Sequence, residues 1–104
     1  IYDLEPIRLS YLNEKLGLDE RAVAGLSPLA HLPQRSNPLT IAYGTGELAE
    51  LQRQSLEFAT ARTHAGLPGR LVPLAGHNHF TILDELARPD GALTAQLLEL
   101  IAID

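Results

Sequence analysis

Cysteine is absent from the sequence, as are methionine and tryptophan. Without a thiol the chain forms no disulfide, no thiolate nucleophile and no zinc–thiolate centre, so any nucleophile must be oxygen or nitrogen. No apolar run approaches the roughly 20 residues that span a bilayer, and the N-terminus lacks the charged-then-apolar order of a signal peptide. Basic residues are few and scattered: eight Lys+Arg stand against thirteen Asp+Glu, a net charge of −5. That balance argues against nucleic acid as a partner. These absences lead to the expectation of a soluble, cytoplasmic protein that needs neither nucleic acid nor membrane. What remains is 104 residues, 45% hydrophobic and 20% charged, enough for one compact domain and too apolar for disorder. The chain opens on Ile1-Tyr2-Asp3-Leu4 with no methionine anywhere. It therefore reads as a piece of a longer polypeptide, a processed mature protein being the alternative.

Residues 1–36 carry turn signals and short helical patterns but no convincing strand. Leu9, Leu12 and Leu16 fall at helical spacing, with Gly17 as a stop. Asp19 is a candidate N-cap for a second short helix, with Leu18 and Val23 placed as a hydrophobic staple. Between Pro33 and Pro38 the prolines and polar residues specify a loop. From Pro38 the pattern changes. Leu39-Thr40-Ile41-Ala42-Tyr43 reads as a buried parallel strand ended by Gly44-Thr45-Gly46, with Tyr43 filling the core. A long helix is predicted from about Leu48 to Ala65, with Leu48, Leu51, Phe58 and Ala59 on one side and Arg53 paired with Glu57 on another. Arg70 to Ala75 is the second strand, its Pro73 favouring an edge position. A short turn around Ile82, Leu83 and Leu86 precedes a final helix with a Leu93, Leu97, Leu100, Ile101 stripe and Asp90 as candidate N-cap.

The fold class is thus α/β, a strand-helix-strand-helix unit over residues 37–104 preceded by a helical segment over residues 1–36. Two parallel strands rarely make a freestanding domain, and the first strand lacks a second neighbour, so a further part of the sheet is inferred. Open α/β sheets place their ligands at the C-terminal ends of strands. There the sequence puts Gly44-Thr45-Gly46-Glu47 and Gly76-His77-Asn78-His79-Phe80. Parallel pairing would bring a carboxylate and an imidazole to one edge, two members of a hydrolytic triad.

The run GTGELAELQRQSLEFA (residues 44–59), followed by GHNHFTILDEL (residues 76–86), resembles the C-terminal end of α/β-hydrolases, specifically the esterase and kynurenine formamidase-like branch. The resemblance covers essentially the whole chain and about the last third of the family. It implies a partial α/β-hydrolase fold, the last two parallel strands with their flanking helices, without the N-terminal sheet. It also implies Glu47 as the acid and His79 as the base of the triad, a small carboxylic ester or formamide as the parent enzyme's substrate, and no cofactor. The family's acid is commonly Asp; Glu is accepted in α/β-hydrolase triads generally. By the same resemblance residues 4–32 correspond to part of a lid over the acyl site. The G-x-S-x-G elbow is absent, and none of Ser10, Ser27, Ser36 or Ser55 lies in such a setting. The chain alone is therefore predicted to be inactive.

Each residue also has a plainer reading. Glu47 can be a first-turn carboxylate favoured by a helix dipole, and His79 a structural histidine at a strand end. His77 competes with His79 as base, but His79 directly before Phe80 fits the family pattern better, which leaves His77 a structural role. His77 and His79 with Asp84 or Glu85 could be read as a metal site, though a third ligand at good spacing is lacking. His31 and His64 read as surface residues. Gln54 and Ser55 read either as packing the helix against the sheet or as helix filler. A different reading of the whole is a non-catalytic α/β fragment that self-associates, or complements an upstream part of its own polypeptide, through an exposed sheet edge.

Overall fold

In the computed structural model, which describes residues 1–102, two parallel strands are flanked by helices. The chain begins with three short helices, α1 (Glu5–Arg8), α2 (Asn13–Leu16) and α3 (Glu20–Leu26), and a 3-10 turn at Pro28–Ala30. Strand β1 (Leu39–Gly44), helix α4 (Ala49–His64) and strand β2 (Gly69–Leu74) follow as a βαβ unit. A 3-10 turn at Thr81–Glu85 and helix α5 (Ala92–Ile101) complete the order. The architecture is α/β, as the sequence pattern predicts. No helix among the described residues is long and apolar enough to cross a membrane.

The expected helix through Leu9, Leu12 and Leu16 is instead two single turns, and all three leucines are exposed. Ser10 explains the break. Its hydroxyl donates to the Ile7 carbonyl and accepts from the Leu12 amide, offering the backbone an alternative to the helical ladder. Gly17 stops α2 in the left-handed conformation, φ 64°. The Asp19 cap of α3 forms, its carboxylate accepting from the Ala22 amide at 2.7 Å. Asp90 does not cap α5. Gly91 takes that position, and the Ala92 amide is satisfied by Glu85 Oε2 at 2.6 Å, a carboxylate arriving from outside the helix. No Cβ fits at Gly91, because it would strike the Glu85 carbonyl.

β1 and β2 pair in register from Leu39↔Gly69 to Gly44↔Leu74, and α4 packs across them. Ile41, Phe58, Leu67 and Ile82 form the buried apolar core. Phe58 also stacks face to face on Tyr2, ring centroids 4.2 Å apart, which draws the N-terminal segment onto α4. The α5 stripe is only partly covered: Leu97 and Ile101 stay exposed. Gln54 of α4 is a buried polar tie. It is 2% exposed and reaches the N-terminal segment, accepting from the Tyr2 and Asp3 amides at 2.8 and 3.0 Å and donating to the Asp3 carbonyl. Ser27 adds a fourth tie through the Leu4 amide.

The molecule is a slab, 42 × 32 × 18 Å, with a radius of gyration of 15.3 Å against about 13 Å for a compact chain of this length. Its accessible surface is 7128 Å², where a freestanding monomer of 11.3 kDa has about 5,700 Å². Each strand has one edge unpaired among the described residues. The thin core makes the buried polar ties important. Gln54→Leu strands the Tyr2 and Asp3 amides in a partly buried setting, and the expected loss is about 1–3 kcal/mol, read as a lower urea midpoint. A variant with an unchanged midpoint would show that Gln54 does not hold the N-terminal segment.

Candidate functional site

Because β1 and β2 run parallel and in register, both end at the same rim, and the loops that follow meet there. The first is a tight turn, Gly44 to Glu47, closed by the Glu47 amide donating to the Gly44 carbonyl at 3.1 Å. The second, Gly76 to Phe80, crosses directly over it. The Gly46 amide donates to the His77 carbonyl at 2.9 Å, and the Thr45 amide to Leu74 at 3.0 Å. A Cβ at Gly44 would collide with the His77 carbonyl, so the crossing requires glycine for the closeness of the two backbones.

This crossing places the two residues singled out in the sequence side by side. His79 Nδ1 lies 2.7 Å from Glu47 Oε1. The Glu47 side chain is 7% exposed and that of His79 is 64% exposed, so the acid is enclosed and the imidazole presented. Glu47 is held at its second oxygen as well, accepting the Gly44 amide at Oε2 over 2.7 Å. Gln52 braces the turn from behind, donating to the Glu47 carbonyl at 2.7 Å and the Thr45 carbonyl at 3.2 Å. The extra methylene of Glu relative to Asp is thus absorbed by a carboxylate folded back onto its own turn.

The geometry fixes which nitrogen does what. A carboxylate only accepts, so Nδ1 carries the hydrogen of this bond and leaves the lone pair on Nε2. An imidazole so oriented can take a proton from an incoming hydroxyl and return it to a leaving group. Phe80 supports the ring edge-on, centroids 5.6 Å apart. The pair lines a cavity of about 310 Å³ together with Tyr2, Tyr43, Leu51 and Ile82. Burial, and then the charge of Glu47, push the Tyr2 phenol above its ordinary value, so it enters this cavity neutral. Tyr43 is a wall of the cavity and only half-buried, not a core filler. A smaller hollow of about 60 Å³, between Leu39, Arg62 and Leu67, is lined by no carboxylate or imidazole.

His31 and His64 lie outside the two rim loops, and His77 belongs to the rim through its backbone. His31 is exposed with Nε2 at 2.8 Å from the Ala24 carbonyl, and His64 is exposed at the end of α4. The His77 ring meets Glu85, with Nε2 3.2 Å from Oε1. No group of three or more metal-ligating side chains converges among the described residues. Of the four serines only Ser55 lines the cavity, buried on α4; among the described residues it is not hydrogen-bonded to His79. The sequence reading did not single out Tyr2 or Gln52. The only signal for Gln52 is its place five residues after the acid, in the first turn of the helix that the acid precedes.

No protein-family model matches the chain. Among curated proteins it is similar to a kynurenine formamidase of Danio rerio, 33% identical over 106 residues, and to one of Salmo salar, 32% identical over 107 residues. Each match covers 97% of this chain and 36% of the relative. The chain therefore spans about a third of the length of the curated relatives it matches.

Two outcomes test how this rim is built. Gly44→Ala is expected to lower stability by about 1–3 kcal/mol, because the two backbones must separate, and to lengthen the Glu47–His79 bond. Equal stability and an unmoved bond would mean that the close crossing is not required. The Ala92 amide, followed by the charges of Arg88 and His77, holds the Glu85 carboxyl below its ordinary range. A depressed folded value contributes stability that is complete above the unfolded value of about 4.3 and is lost as pH falls through the folded one. Glu85→Gln should therefore flatten the acid limb of a stability profile measured below about pH 5. An unchanged acid limb would refute that contribution.

Proposed function

We propose that this chain is the C-terminal portion of a serine hydrolase of the α/β-hydrolase type, acting on carboxylic ester or formamide bonds, in which Glu47 is the acid and His79 the base. The single observation that carries the reading is the 2.7 Å bond between Glu47 and His79 at the C-terminal rim of parallel strands, with Nε2 left open. The similarity to proteins named kynurenine formamidase, in two different fishes, supports the reaction class. Kynurenine formamidases act at a formamide by name, so a formamide is the substrate class proposed first and an ester the second.

In this mechanism a serine hydroxyl from an upstream part of the polypeptide attacks the acyl carbonyl while Nε2 of His79 accepts its proton. Glu47 keeps the ring in the productive tautomer and stabilises the imidazolium that forms. The imidazolium then protonates the leaving amine or alcohol, and the acyl-serine remains. A water molecule, deprotonated by the same Nε2, attacks the acyl carbon; the acid is released and the serine reprotonated. Residues 4–32 would lie over the acyl group as part of a lid, and no cofactor enters any step. The compartment proposed is the cytoplasm, where the lack of cysteine is at home.

The unpaired strand edges and the surface excess also suit the other reading, a fragment that pairs with itself through β1. Sedimentation separates the two: a concentration-dependent dimer of the isolated chain favours self-pairing, and a monomer that binds its upstream sequence favours the hydrolase.

Activity supplies the direct test. Hydrolysis of an activated acyl ester and of an aryl formamide is expected from a polypeptide extended upstream through a G-x-S-x-G turn, and not from residues 1–104 alone. In the extended polypeptide His79→Ala and Glu47→Gln should each reduce kcat by a factor on the order of 10²–10⁴. Full activity in the His79→Ala variant, or turnover by the isolated chain, would sink the assignment.

A further inference from the structure

We infer that Glu85 is a positioning residue for the Glu47–His79 pair, acting through His77 to fix the loop that presents the base. This rests on the hydrolase reading for its catalytic consequence, but the structural link stands apart from it.

His79 has little to hold it. Its ring is 64% exposed, hydrogen-bonded to Glu47 and set edge to face with Phe80. Where the ring sits is therefore decided by the backbone of its loop, and that loop is gripped two residues earlier. His77 is held at both ring nitrogens, Nδ1 hydrogen-bonded to the Thr81 carbonyl at 3.1 Å and Nε2 in an ion-pair contact with Glu85 Oε1 at 3.2 Å. The Thr81 carbonyl only accepts, so Nδ1 carries the hydrogen of that bond, while the Glu85 carboxylate lies against the other nitrogen. The carbonyl of this clamped residue is the atom that meets Gly44 and Gly46, at the crossing under Glu47. Asn78 stiffens the step from His77 to His79, its side chain accepting from the Phe80 and Thr81 amides at 2.8 and 2.9 Å.

Glu85 is in turn anchored on every side. It is 8% exposed. Oε2 takes the Ala92 amide at 2.6 Å, Oε1 takes Arg88 at 3.1 Å, and its carbonyl accepts from Thr94 at 3.0 Å. The start of α5 is thereby connected to the base through one buried carboxylate. A carboxylate placed there only to cap α5 would have no need to face His77.

The test uses the extended polypeptide, labelled with 15N-histidine. Long-range 1H–15N correlations of the His79 ring are expected to show hydrogen on Nδ1 in the parent, and a mixture of tautomers in Glu85→Gln and in His77→Gln. Each variant should lower kcat roughly ten-fold to a hundred-fold, with KM within about two-fold, as a displaced catalytic group does. The double variant should lose no more than either single one, because both act along one path. A parent-like His79 tautomer in both folded variants, or additive losses in kcat, would overturn the inference. Should Glu85→Gln fail to fold, His77→Gln decides alone. A parent polypeptide without hydrolytic activity would remove the hydrolase reading, while the tautomer spectrum would still decide whether Glu85 positions His79.

Discussion

The His77 carbonyl is pressed against Gly44 and hydrogen-bonded to Gly46, and the rest of the rim depends on that backbone contact. It is the point where the turn carrying Glu47 and the loop carrying His79 touch before their side chains do. A parallel register brings the two strand ends to one height, but register alone would leave the loops free to splay. Two glycines remove the side chains that would hold them apart, and the peptide hydrogen bond then sets the spacing. The Glu47–His79 bond is the outward expression of this arrangement. Gln52, beneath the turn, and Asn78, within the loop, stiffen the two sides of the contact.

Much of this unit was legible in the sequence because it is local. The apolar run ending at Gly44, the long helical period after it and the second run from Arg70 to Ala75 give a βαβ unit whose observed ends differ by a residue or so from the pattern. The rim positions of Glu47 and His79 follow from topology, since parallel strands finish on the same side. What was not legible depends on partners far along the chain. Gln54 reads as one more polar residue on a helix, and only a fold that brings Tyr2 and Asp3 back across 50 or so residues makes it a buried tie. Asp90 reads as a helix cap, yet a carboxylate from the preceding turn takes the bond to the first amide of α5. The Leu9, Leu12, Leu16 spacing is helical, and a serine hydroxyl overrides it.

The distribution of apolar surface fits the same picture. A βαβ unit covers one face of its sheet with its own helix, and here α4 does so with Phe58 and Ile41 between them. Around that centre the chain is wide and shallow, with Leu9 and Leu12 between α1 and α2, Leu16 of α2, and Leu97 and Leu98 of α5 left exposed. Its stability accordingly rests more than usual on buried polar residues, Ser27, Gln54, Arg62 and Glu85 among them. Arg62 illustrates the point: its guanidinium spans from the Ser36 hydroxyl to the Pro68 carbonyl, joining the loop before β1 to the loop before β2.

Acid and base stand 32 positions apart, at the two ends of a single crossover. Closing the β1–α4–β2 crossover is thus the same event as bringing the pair together: the loop entropy lost in docking the second strand is lost once and serves both. Glu85, which holds the loop of the base through His77, lies beyond this crossover, so the closure brings the carboxylate and the imidazole together and the following turn steadies them.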